Sequence, residues 1–172
     1  MATYDDTVIS LAGTEAIEKV KKLAEGAMQC MFTTNLSQVP LTTRPMATQQ
    51  VDAQGNLWFM SENDTNKVRE IKQDNRVQLF FANLGESEYL SVYGTATVLR
   101  DQAKIDELWS PFLKTWFNNG PKDPNLMLIK VAADEGYYWD IKNNTVVQKM
   151  KIAYGALTGQ TYDDSREGDL SL

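Results

Sequence analysis

Glu88-Tyr89-Leu90-Ser91-Val92-Tyr93-Gly94-Thr95-Ala96-Thr97-Val98-Leu99 sets the reading of this chain. Leu90, Val92, Gly94, Ala96 and Val98 fall on one face, and Tyr89, Ser91, Tyr93, Thr95 and Thr97 on the other. A period of two is the mark of a strand with one buried face. Upstream, Val77 to Leu84, Leu57 to Met60, Leu41 to Gln49 and Met28 to Thr34 are apolar-rich segments of strand length. Asp52-Ala53-Gln54-Gly55-Asn56 has the composition of a turn. Downstream, Leu126 to Ala132 and Glu135 to Ile141 read as a final pair separated by Asp134. A helix is expected from Thr14, as N-cap, to Gly26, with Ile17, Val20, Leu23 and Ala24 inward and Glu18 pairing Lys22 outside. Asp64 to Lys72 predicts a second helix, with Val68 and Ile71 inward. A third is opened by Asp101 and closed before Pro111, burying Ile105, Leu108 and Trp109. About six strands with few helices predict a mainly β (α+β) fold, an antiparallel barrel whose closure removes exposed edges.

The chain of 172 residues suits a single domain, 1–172, with an N-terminal arm (1–11) and a polar C-terminal tail (155–172). The net charge of −6 argues against nucleic-acid binding. No apolar run reaches the roughly 20 residues of a membrane helix. The acidic start, Met1 to Asp6, lacks the features of a secretory signal, and Cys30 has no second cysteine to pair with, so a cytoplasmic protein is expected. There is no histidine, which disfavours metal triads, Ser-His-Asp hydrolysis and His-ligated haem together. Chemistry would then fall to an organic cofactor. No metal site is expected.

Arg44 lies inside a strand, in Thr42-Thr43-Arg44-Pro45-Met46. A buried guanidinium needs a partner, and its planar fork suits phosphate oxygens. The plainer reading is an edge-strand arginine reaching water, which Pro45 also fits. Ser61-Glu62-Asn63-Asp64-Thr65-Asn66-Lys67 leaves a strand and enters a helix. Helix N-termini attract anions, and Lys67 gains nothing from the dipole there, so a bound anion would explain it; a solvated lysine is the alternative. Arg44 and Lys67 together could neutralise a phosphomonoester, with Ser61 donating a hydroxyl. Trp109, Trp116, Phe117, Tyr137, Tyr138 and Trp139 cluster in the C-terminal half, where they could stack on a flat ring or pack a core or interface. Cys30 reads as an inert core residue, and Asp106-Glu107 and Asp163-Asp164 as solvated surface.

Met31-Phe32-Thr33-Thr34, Thr43-Arg44-Pro45-Met46, Leu57-Trp58-Phe59-Met60-Ser61 and Asn66-Lys67-Val68-Arg69-Glu70-Ile71 occur in that order. Ser91-Val92-Tyr93-Gly94, Lys104-Ile105-Asp106-Glu107-Leu108-Trp109-Ser110-Pro111, Trp116-Phe117 and Tyr138-Trp139-Asp140 follow. The ordered series resembles the general stress protein branch of the pyridoxamine-phosphate-oxidase-like FMN-binding split barrels, over about residues 12 to 165. The resemblance implies a six-stranded antiparallel split β-barrel with flanking helices, and a homodimer holding FMN in the grooves between subunits. By position it implies that Arg44 and Lys67 hold the FMN phosphate, assisted by Ser61 and Asn66. Pro45, Met46, Phe59 and Met60 would line the ribityl chain and ring, and Trp116 would reach the flavin from the partner chain.

True vitamin B6 oxidases carry a C-terminal substrate segment with arginine and histidine. This chain has Gln160-Thr161-Tyr162-Asp163-Asp164-Ser165-Arg166-Glu167 there, so pyridoxamine phosphate oxidation is not expected. The expected function is an FMN-dependent oxidoreductase with hydride chemistry at the flavin and no named catalytic side chain. Its donor or acceptor is unknown, and no Gly-rich dinucleotide fingerprint is present. The alternative is a non-enzymatic FMN store or stress sensor. A deazaflavin or haem ligand, or a cofactor-free dimer, are further readings.

Overall fold

The computed structural model describes residues 8–141 and 165–172. Its elements begin with β1 (Leu11–Ala12), α1 (Gly13–Ala27), β2 (Gln29–Thr34), β3 (Thr42–Ala47), β4 (Gln50–Val51) and β5 (Leu57–Glu62). Then come α2 (Asn66–Gln73), β6 (Arg76–Asn83), β7 (Glu88–Leu99) and α3 (Gln102–Leu108). A 3-10 turn (Pro111–Thr115), β8 (Leu126–Ile141) and β9 (Ser165–Ser171) complete the order. The fold is the mainly β split barrel expected from the sequence, and six of its strands lie where the sequence places them.

The sheet runs β1-β9-β8-β7-β6-β2-β3, with β5 beside β8 and β4 beside β5. All named pairs are antiparallel except β1 with β9. Pairing stops at β3 on one side and at β1 and β4 on the other, so the sheet is open rather than closed. β3 and β5 both line a cavity, described below, and the chain crosses from one to the other just past β3, where the Thr48 N–H donates to the Met28 carbonyl and the Gln49 N–H to the Trp58 carbonyl.

The expected final pair is one strand, β8. Asp134 is the extra residue of a bulge: Tyr93 pairs with Glu135, but the next residue, Gly94, pairs with Ala133. A bulge and a turn place the same polar residue between apolar runs, and only the partner strand tells them apart. Gly94 sits at this shift, and a Cβ there would overlap the Ala132 carbonyl. Gly94→Ala is therefore expected to destabilise the protein by about 1–3 kcal/mol, read as a lower urea midpoint.

Residues on β5 alternate between two cores. Leu57 and Phe59 join the main cluster under α1, where Phe59 meets Phe32 edge-on at 5.2 Å. Trp58 and Met60 join a second cluster with Ile105, Leu113, Phe117 and Leu128. Each fully buried side chain of this size contributes about 1.5–3 kcal/mol. Leu108 and Trp109 only partly bury against this second cluster, while Ile105 is wholly inside. Asp101 caps α3 as expected, accepting from the Lys104 N–H at 3.1 Å.

Helix α1 differs from its expected ends. It starts at Gly13 after Ala12, without a side-chain cap, and it runs past Gly26 to stop at Met28, whose φ is +62°. Its buried stripe contains Ala16, with Ile17 only partly covered. Lys22 pairs with Glu88 at 3.0 Å rather than with Glu18.

The arm and tail are also more ordered than expected. Leu170 and Ser171 of β9 pair with β1, and the Ile9 N–H donates to the Glu167 carbonyl at 2.7 Å. Residues 1–7 of the arm and 155–164 of the tail, with Asp163 and Asp164, lie outside the described residues. Asp140, 2% exposed, ties these ends together. Its carboxylate accepts from Lys19 Nζ at 2.8 Å and from Arg166 Nε and Nη2 at 3.0 and 3.1 Å. The neighbouring Tyr138 hydroxyl donates to the Ile9 carbonyl at 2.8 Å.

Candidate binding site

A cavity of about 700 Å³ lies among β3, β5, the start of α2 and the 3-10 turn. Six of the nine residues assigned to the cofactor line it: Pro45, Met46, Met60, Ser61, Lys67 and Trp116. Three others do not. Phe59 points into the main core. The Asn66 amide oxygen accepts from Arg69. Arg44 is engaged beside the cavity, within a closed set of polar contacts.

That set is built across three elements. Arg44 Nη2 meets Glu70 Oε2 at 2.7 Å, and Nη1 donates to Thr34 Oγ1 at 2.6 Å and to the Phe32 carbonyl at 3.4 Å. The Thr34 hydroxyl donates to the same Glu70 oxygen at 2.5 Å. Burial works to raise the Glu70 carboxyl, but the hydrogen bonds from Thr34 and Arg44 outweigh it and hold the group below its usual range. An anionic partner for Arg44 is thus supplied from within the chain. Sequence gives no sign of it, because Arg44 and Glu70 are 26 positions apart.

Lys67 is different. It is half-buried at the first turn of α2, and no hydrogen bond or ion pair reaches its ammonium among the described residues. Burial lowers its pKa, nearby Arg44 adds to this, and Glu62 and Glu70 only partly offset them. Thr65 precedes the helix without a side-chain cap, so the positive helix end and the cation lie together. The Ser61 hydroxyl donates to the Glu62 carbonyl at 3.0 Å and stands 3.3 Å from Thr65 Oγ1.

The far wall is apolar. Trp116 and Phe112 meet edge-on at 5.0 Å, yet remain 55% and 70% exposed, so a flat ligand could still cover them. Trp116 stands on the wall of its own chain's cavity. Sequence reasoning missed Phe112, Met28 and Thr48; Met28 is 69% exposed with a positive φ, but these are features of the fold that no sequence pattern marks. Thr48 Oγ1 is buried and has no hydrogen-bond partner among the described residues. Among the lining residues only Glu62 and Lys67 ionise, so the site offers one carboxylate and one cation among hydroxyls and apolar walls. Cys30 lies in the core, and burial pushes its thiol up to about 12, which keeps it neutral and unreactive. Among the described residues no cluster is placed to hold a metal ion.

Fold and cavity together place the chain among the small mainly β split barrels. The pyridoxamine 5'-phosphate oxidase like family matches residues 15–163, and the chain belongs to it. Protein bli-3 of Neurospora crassa is 29% identical over 129 residues, 70% of this chain and 62% of that protein, so the chain spans less than two thirds of this relative. Among solved structures, a general stress protein 26 from Jannaschia sp. CCS1 shares the fold with a TM-score of 0.77 at 22% identity, covering 93% of this chain and 100% of that one. The general stress FMN/FAD binding protein from Xanthomonas citri aligns with a TM-score of 0.64 at 28% identity, covering 74% of this chain and 90% of that one.

Proposed function

We propose that the chain binds FMN in this cavity and serves as an FMN-dependent oxidoreductase. One observation carries the reading: Lys67, half-buried and without a partner among the described residues, stands beside an uncapped helix N-terminus at a cavity large enough for a cofactor. The residues fit a ligand with an anionic end and a flat apolar end. Lys67 and the first turn of α2 would hold the phosphate, with Ser61 beside them and Arg44 and Asn66 adjoining. Pro45, Met46 and Met60 would line the ligand's length, and Trp116 with Phe112 would cover the ring. Bound FMN supplies hydride transfer, while the chain orients it and excludes water. The description of the Xanthomonas citri protein as FMN/FAD binding supports this choice, and the names of the similar structures support a stress-related setting.

An absorption spectrum of the purified protein, with the ligand released by heat and identified by mass, tests the claim. Flavin bands with about one FMN per chain uphold it. A colourless protein that takes up no added FMN sinks it. The rate at which bound flavin is reduced by NADH or NADPH separates an enzyme from a store or sensor.

We also propose a homodimer. On the outer face of the sheet Met31, Phe80, Tyr89 and Trp139 are each more than 40% exposed and line a shallow hollow of about 360 Å³. An apolar patch on a sheet face marks a protein contact. Pro45 pairs with Met31 and also lines the cavity, so the patch and the site adjoin. Phe80→Asp is expected to turn a species of twice 19.4 kDa into one of 19.4 kDa by light scattering. An unchanged mass would place the contact elsewhere. No described helix is long and apolar enough to cross a membrane; a cytoplasmic setting is part of this proposal.

A further inference from the structure

We propose that the Thr48 hydroxyl hydrogen-bonds the polar edge of the ligand's ring system; this rests on the flavin reading above. Thr48 follows β3, and its backbone is held in place, since its N–H donates to the Met28 carbonyl at 2.9 Å. The side chain lines the cavity, yet Oγ1 is shielded and unpartnered among the described residues. A buried hydroxyl without a hydrogen bond is costly, and native chains leave few of them. With a ring bound, a χ1 step would turn the oxygen toward it without moving the backbone. There it can donate to a ring carbonyl or accept from a ring N–H.

Position along the strand says which end of the ligand it meets. Thr48 is four residues from Arg44, a separation of roughly 13 Å in extended chain. The phosphate end belongs to Lys67 and the start of α2, while Thr48 lies with Met28 and Gln29 near the other end of β3. The hydroxyl therefore serves the ring and is indifferent to the phosphate.

The experiment uses the full chain with Thr48→Val and Thr48→Ser, titrated with FMN and with riboflavin, and melted without ligand. Thr48→Val preserves the shape and removes the hydroxyl. It should bind both flavins about tenfold more weakly, the size of one hydrogen bond, and unfold no earlier than the wild type, because an unpaired buried group has gone. Thr48→Ser should restore most of the binding. Valine binding both flavins as the wild type does would overturn the proposal, and so would a loss confined to FMN. A wild-type chain that binds neither flavin would overturn the flavin reading and this assignment with it. That outcome is told apart from the others because the wild type itself fails.

Discussion

Lys67→Ala is expected to weaken FMN by about 10- to 100-fold and riboflavin by less than about threefold. The two ligands differ only in the phosphate, so the difference isolates the anion. The size follows from removing one charge-assisted contact in a half-buried place, where water screens it poorly. Arg44→Ala is a different experiment here, because Arg44 already meets Glu70 at 2.7 Å and Thr34 at 2.6 Å. Its loss strands a carboxylate and mixes stability into the binding result. Lys67 has no such second duty among the described residues. The pH profile has a definite sign. FMN is held best when its phosphate is dianionic, above about pH 6, and while Lys67 is protonated. Burial lowers the Lys67 pKa from 10.5, so affinity should begin to fall below that pH. Riboflavin affinity should stay level around pH 6, where only the FMN phosphate titrates. Equal losses of both flavins in Lys67→Ala would remove Lys67 from the phosphate site.

Asp140→Ala should cost about 3 kcal/mol, a fall of roughly 10 °C in the unfolding midpoint. The carboxylate is 1% exposed and receives three hydrogen bonds from two cations. Removing it leaves Lys19 and Arg166 facing each other across an empty space. Their own exposures, 15% and 29%, allow some rehydration, which keeps the cost at the lower end for a broken buried pair. Asp140→Asn should lose nearly as much, since it keeps the volume but not the charge. A loss below about 1 kcal/mol would mean that both cations recover water fully.

The fold was legible where one strand's own residues carry its pattern. In β7, Leu90, Val92 and Ala96 are buried as their spacing predicts. It was illegible where the cause lies in another strand. Ser165–Ser171 buries only Gly168 and Leu170, and it is a strand because β8 offers it a ladder and Asp140 grips Arg166. Asp134 reads as a break between two strands for the same reason. The site divides in the same way. Lys67 could be singled out because a cation at a helix start is locally anomalous. Glu70 as the partner of Arg44, and the unpaired Thr48 hydroxyl, are relations between distant residues, and no local pattern records them.

The bent strand β8 has one edge shared by two neighbours, β5 along Leu126–Val131 and β9 along Glu135–Ile141. This sets a timetable for the nascent chain. The half of the sheet that carries the cavity, from β2 to the first part of β8, can assemble once that part of β8 has emerged. The other half waits for β9, and only then can Leu11 find Leu170, 159 positions away. Until β9 has left the ribosome, the second half of β8 is an unprotected edge open to other chains. The half that carries the cavity can therefore be complete while the seam between β1 and β9 is still open, and a chaperone would meet the molecule at that seam.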